Sequence, residues 1–149
     1  MKGGMAMIFR KCAGGVVFSG DKVFLLKNEK GEWILPKGVI REKRLAMDVA
    51  LERVTKEAGI AAAILSTAGE TSYEFYSTTR KQPVCNKIIW YIMHAPDATY
   101  RIAFEEGFTD GDYYSIKDAL ELITYSQDKA LVNVAYRKYK DLLETDAKA

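Results

Sequence analysis

The stretch Gly38–Ile60 reads G-V-I-R-E-K-R-L-A-M-D-V-A-L-E-R-V-T-K-E-A-G-I, and no other segment says as much about this chain. Within it, Leu45–Ala58 reads as a helix. Met47, Ala50, Leu51, Val54 and Ala58 recur at helical spacing, so that side is expected to face a core. Gly59 suits the left-handed backbone position that ends a helix. The charged residues also come in helical steps. Glu52 and Lys56 are i,i+4, as are Arg53 and Glu57, and Asp48 stands one turn earlier. This spacing predicts ion pairs along a solvated face, each worth about 0.3–0.5 kcal/mol.

The same stretch resembles the signature of the Nudix (MutT-like) hydrolases, G-x5-E-x7-R-E-U-x-E-E-x-G-U, where U is bulky and apolar. Gly38, Val54, Glu57, Gly59 and Ile60 fall where that pattern wants them. Arg44 stands in place of a Glu, Glu52 and Arg53 invert the Arg-Glu pair, and Lys56 replaces the first Glu of the Glu-Glu pair. The resemblance implies cleavage of a pyrophosphate link in a nucleoside diphosphate joined to another group. Mg²⁺ or Mn²⁺ would polarise the phosphoryl oxygens. Hard cations take carboxylate oxygens. The family supplies them at positions 53, 56 and 57, and only Glu57 is an acid here. Over positions 44, 52, 53, 56 and 57 the family's charge is about −3 on its signature, whereas these five residues sum to +1. Each like charge nearby opposes a dication by about 1 kcal/mol or more. Glu52 lies about 100° round the helix from position 53, so a shift in register does not restore the ligand.

The resemblance thus implies a catalytic and metal role for Glu57, with the metal weakly held or absent. Glu105 and Glu106 lie where the family often supplies a further acid, as metal ligand or base; a solvated loop is their alternative. Trp33–Gly38, W-I-L-P-K-G, is similar to the opening of the diadenosine-polyphosphate-hydrolase-like branch. The later order K-I-I-W-Y-I, E-E-G-F, an aromatic strand and D-A-L-E-L-I-T-Y also follows that branch. The resemblance covers about residues 9–143. It implies an α/β fold, the Nudix α/β/α sandwich with a mixed sheet, as a single domain over 1–149.

Other elements follow from local signals. Lys11–Phe18 and Lys22–Lys27 read as strands around a Ser19-Gly20-Asp21 turn. Glu32–Leu35 reads as extended before Pro36, and Pro36–Gly38 as a loop. Ile64–Ser77 reads as one or two strands, and Thr78–Asn86 as a polar loop. Lys87–His94 is an apolar run expected as a buried strand. Asp97–Asp112 reads mostly as loop, and Tyr113-Tyr114 as a last short strand. Ser115 with Asp118 predicts a capped helix through Ile123, and Ser126 caps a final helix from Gln127 to about Leu143. Thr145–Ala149 reads as a loose tail.

By position, Trp90 and Tyr125 resemble the aromatic pair that sandwiches adenine in diadenosine tetraphosphate hydrolases; for Trp90 the alternative is a core residue. Lys37, Arg41, Lys43 and Arg44 crowd the approach to the first helix, and Arg80, Lys81 and Lys87 form a second basic group. Arg and Lys form charge-assisted bonds to phosphate without metal, against the alternative of an ordinary basic surface. Lys37, Gly38, Arg80, Lys87, Trp90 and Tyr125 are therefore the substrate-binding candidates. His94, the one histidine, has no triad partners in sequence and is read as structural.

The 149 residues suit one domain, and 48% hydrophobic content supports a core. A net charge of +2 is too small to argue by itself for nucleic acid, which is not expected as a partner. Cys12 and Cys85 lack metal-type spacing and are expected as free thiols. Met1–Lys11, with Gly3 and Gly4, has no signal-peptide pattern, and no run reaches a membrane span, so a cytoplasmic protein is expected. Three functions stay open. The first is a nucleoside-polyphosphate binder with hydrolysis lost or impaired. The second is a weak hydrolase acting through Glu57, Glu105 and Glu106. The third is a metal-free phosphate or RNA-end module.

Overall fold

A computed structural model describes residues 6–148, with side-chain surroundings through Thr145. Readings that touch residues 1–5 or Ala149 lie outside the described residues. Strands β1 (Ile8–Ser19) and β2 (Lys22–Asn28) form a hairpin whose turn uses Gly20 at φ 59°. Then come β3 (Trp33–Ile34), β4 (Lys37–Val39), helix α1 (Ala46–Ala58), β5 (Ala63–Ser77) and β6 (Gln82–His94). A 3-10 turn (Phe104–Glu106), β7 (Phe108–Ser115), α2 (Ile116–Leu122) and α3 (Ser126–Lys148) complete the order.

The strands join in the order β3-β2-β1-β6-β5, with β4 also on β1 and β7 on β2. β1 and β6 run parallel in unbroken register from Ile8↔Val84 to Phe18↔His94. All other pairs are antiparallel. The sheet is therefore mixed and needs cover on both faces. Alternation along β1 assigns those faces. Ala13 and Val17 point to a layer with Val49, Ala50, Val54 and Ala58 of α1. Cys12, Val16 and Phe18 point the other way, to Ala119 of α2 and Leu131, Val132, Ala135 and Tyr139 of α3. Helices on both faces of one mixed sheet make the α/β/α sandwich.

Several local expectations need correction. Lys37–Gly38 are not loop: they pair with Gly14 and Ala13 as β4. Thr78–Asn86 is not one loop either, because β6 starts at Gln82 and leaves Thr78–Lys81 as a tight hairpin tip. β7 starts at Phe108, where long pairing with β2 overrides the weak local signal of F-T-D-G-D. The tail is helical to Lys148. On α1, Met47 is 48% exposed, and the buried side is Val49, Ala50, Val54, Glu57 and Ala58. Other expectations hold. Gly59 ends α1 at φ 63°, and Ser115 Oγ accepts the Asp118 N–H at 3.1 Å. His94 is bonded to Tyr139 Oη at 2.9 Å, and both cysteines are free and buried. No described helix is long and apolar enough to cross a membrane.

Candidate functional site

α1 carries its charges on the side facing β4 and the 3-10 turn. Glu57 is only 2% exposed. Arg53, one turn earlier, donates to its Oε2 from Nε at 2.8 Å and from Nη2 at 2.5 Å. Gly38 makes room for this. A Cβ there would stand 2.6 Å from Arg53 Cγ and Cδ, so glycine lets the arginine stem lie across β4. Burial pushes the Glu57 carboxyl up to about 7, although Arg53 and Lys37 pull the other way. Desolvation of a carboxylate outweighs a single partly exposed partner.

The expected Arg53–Glu57 pair is present, but the Glu52–Lys56 pair is not. Glu52 instead meets Arg44, Nη2 to Oε2 at 2.8 Å. Those two positions hold Glu and Arg in the family signature, so the pair is kept with its polarity reversed. Lys56 Nζ lies 3.1 Å from Glu106 Oε1. Backbone ties explain that meeting. Arg101 N–H donates to Ala58 O at 2.7 Å, and Ala103 N–H donates to Glu57 O at 3.0 Å. They hang the 3-10 turn on the end of α1. Glu105, the other expected acid, is exposed on that turn.

A cleft of about 440 Å³ opens on the α3 side of the sheet. Its walls include Tyr73, Phe75 and Tyr76 of β5, Trp90 of β6 and Tyr125 before α3. Tyr73 stacks with Phe75 at 5.6 Å and meets Tyr125 edge-on at 5.2 Å. Tyr125 Oη donates to Glu32 Oε2, and Asn28 Nδ2 donates to Glu32 Oε1 at 2.8 Å. These bonds hold the Glu32 carboxyl below its usual range. Asp128, on the first turn of α3, has its carboxyl raised by burial and lowered by Lys37. A smaller inner pocket of about 180 Å³, lined by Cys12, Gly38, Glu57 and Phe108, shares Ile34, Lys37 and Asn86 with the cleft. Lys37 therefore stands between the aromatic cleft and Glu57.

Of the binding candidates, Lys37, Gly38 and Tyr125 come together here. Trp90 lines the cleft but is 1% exposed, with its indole N–H donated to Thr71 Oγ1 at 2.8 Å. It packs into the room left by Gly14, so its faces are not free to sandwich a base. Arg80 sits at the exposed β5–β6 tip, away from the cleft. Lys87 has the parity of Tyr91 and Met93, lies over Phe9 at 6.0 Å and does not line the cleft. Sequence reasoning missed Glu32, Tyr73, Phe75, Asn86 and Asp128 as site residues. The period-two spacing of Tyr73 and Phe75 was the one usable signal. Asn86 was hidden by its assignment to a loop.

The donor set does not fit Mg²⁺ or Mn²⁺. Glu57 accepts hydrogen bonds from a guanidinium, and Glu106 stands in ion-pair range of an ammonium. No group of three or more His, Cys, Asp or Glu is arranged for a metal among the described residues.

No family model matches the chain. Solved structures do. An Ap4A hydrolase of C. elegans is similar with a TM-score of 0.65 at 18% identity, over 91% of this chain and 98% of that one. A MutT protein of Methanosarcina mazei gives 0.70 at 14%, over 92% and 99%. A Nudix hydrolase of Nitrosomonas europaea gives 0.61 at 12%, over 87% and 89%. At such identities the likeness establishes the fold, which is that of the Nudix hydrolases.

Proposed function

We propose that this protein binds a nucleoside polyphosphate without a metal ion, and that its pyrophosphohydrolase activity is lost or strongly impaired. The observation that carries this reading is the pairing of the buried Glu57 with Arg53, with Lys56 on Glu106 beside it. Cations belonging to the chain stand where the family signature places metal-binding acids. Replacing them by a dication would mean breaking both hydrogen bonds that Arg53 donates to one oxygen of the buried Glu57 carboxylate, and removing one partner of a fully buried pair costs about 3–5 kcal/mol. The base end is the aromatic cleft, since stacking contributes about 1–3 kcal/mol per base and needs no metal. Phosphates would run past Lys37, whose ammonium makes charge-assisted bonds to phosphate oxygens.

Calorimetry with ATP in EDTA tests the binding. The expected result is saturable heat that Mg²⁺ does not strengthen, together with diadenosine tetraphosphate hydrolysis near background. Affinity that needs Mg²⁺, or turnover of ordinary enzymatic size abolished by Glu57→Gln, would overturn the reading. One observation favours residual hydrolysis as a second reading. The backbone ties bring Glu106 to α1, so two acids lie near each other once Lys56 is displaced.

A further inference from the structure

The corner between α2 and α3 straps β3 to β5, the two ends of the sheet's pairing order. At β3, Thr124 N–H donates to Trp33 O at 3.1 Å, and Thr124 Oγ1 accepts from Trp33 N–H at 2.8 Å. At β5, Gln127 Nε2 donates to Ser72 O at 2.8 Å, and Gln127 Oε1 accepts from Ser72 N–H at 3.1 Å. An edge strand leaves such backbone groups unpaired on its outer side. A side-chain amide carries the donor and acceptor of a peptide group, so Gln127 stands in for a neighbouring strand over one residue. The two ends of the strap are unequal. The β3 end is rooted by Ile123, buried in the core. At the β5 end Gln127 and Ser72 are both exposed, and water replaces exposed hydrogen bonds at small net cost. β5 also has a register shift between Thr67 and Gly69, with Gly69 at φ 141°. Such bulges bend a strand and interrupt its ladder. Beyond the bulge, the part of β5 that carries Tyr73 and Phe75 pairs with β6 alone among the described residues.

Resting on the reading of the cleft as a nucleotide site, we infer that Gln127 is a positioning residue for it: bonded across the backbone of Ser72, its amide holds the β5 wall of the cleft against the α3 wall and gates the escape of the ligand. Ser72 and Gln127 both line the cleft. α3 is fixed in the core by Leu131, Val132 and Ala135, so the wall free to move is the outer part of β5. With the two bonds made, Tyr73 is held 5.2 Å from Tyr125. With them broken, β5 swings about its bulge and the gap between the two rings widens. Local openings of this kind belong to exposed elements with few buried contacts.

Two measurements on the whole chain in EDTA test this, amide hydrogen exchange and stopped-flow dissociation of an ATP labelled with a fluorescent anthraniloyl group on its ribose. The amides of Tyr73 and Phe75 alternate with that of Ser72 and so point toward β6; they report the hold on the strand rather than the loss of Gln127 itself. In Gln127→Ala they are expected to exchange about tenfold faster than in wild type, while the amide of Ile92 in the core is unchanged. The labelled ATP is expected to leave about tenfold faster. Gln127→Glu keeps the acceptor for Ser72 N–H but not the donor to Ser72 O, and should fall between the two in both measurements. Tyr73 and Phe75 amides that exchange alike in wild type and Gln127→Ala overturn the hold on β5. Faster exchange with an unchanged dissociation rate overturns the gate and leaves metal-free binding standing. No binding of the labelled ATP to wild type overturns the binding reading and the gate with it.

Discussion

Glu57 is the acid kept from the family's carboxylate cluster, and its surroundings turn it from a metal ligand into half of a buried pair. Its carboxyl titrates at 4.5 in an open chain and at about 7 in the fold, mainly because it is buried. A raised folded value means that the folded state binds the proton more tightly. The resulting stability is complete below 4.5 and is lost as pH rises through about 7. That separation corresponds to about 3 kcal/mol. Urea unfolding across this window is expected to show wild type losing stability relative to Glu57→Gln as pH rises; parallel profiles would mean an ordinary carboxyl. Gly38 belongs to the same device. A Cβ there drives into the Arg53 stem at 2.6 Å, so Gly38→Ala is expected to destabilise by about 1–3 kcal/mol. Arg53 can yield only by leaving Glu57. In an Arg53→Ala background the added cost should fall below about 0.5 kcal/mol, and a double-mutant cycle measures the difference. Additive costs would place the strain elsewhere, at the β1–β4 pairing.

At the scale of the element, α1 keeps the apolar side that packs on β1 and has lost the acids that would make it a metal-binding helix. The two properties sit on different sides of one cylinder, so they can change independently. Arg44→Glu, Glu52→Arg, Arg53→Glu and Lys56→Glu together should rebuild the acid set without touching Val49, Ala50, Val54 or Ala58. The Arg44–Glu52 contact would simply regain the polarity of the family signature. Glu57 and Glu106 would then face new acids, so the metal-free variant should melt at a lower temperature than wild type. Mg²⁺ should restore the loss by binding only the folded form, and metal-dependent hydrolysis should appear. A folded quadruple variant that neither binds Mg²⁺ nor turns over substrate would show that the pocket differs in shape as well as charge. β6 supplies the matching test of the cleft. Trp90→Ala should cost about 3–5 kcal/mol through lost packing, whereas Tyr125→Ala should weaken nucleotide binding with far less effect on unfolding. Equal destabilisation by the two would make Tyr125 a core residue as well.

For the whole molecule, binding by the protein's own cations predicts a thermal shift with nucleoside triphosphate in EDTA that declines as salt screens the phosphates. A shift insensitive to salt would point to stacking alone. The sequence by itself determined most of the elements, and its resemblance to the Nudix signature implied their layering. The helical spacing of α1, the glycine at its end, the apolar run of β6 and the cap at Ser115 are local signals, and each survives in the fold because packing reinforces it. It also put Arg53 within reach of Glu57, since residues four apart share a helix face, although the same spacing did not join Glu52 to Lys56. Tertiary structure alone decided the partners of Lys56 and Glu52 and the two ends of the cleft. Lys56 reaches Glu106 because backbone bonds from Arg101 and Ala103 fold a distant loop onto α1. Trp90 lies in the core against Gly14, its partner on β1, where a Cβ would stand 2.5 Å from the indole ring. Asp128, Glu32 and Asn86 lie on three elements far apart in sequence. Their convergence depends on the curl of the sheet and the docking of α3, which no local spacing encodes.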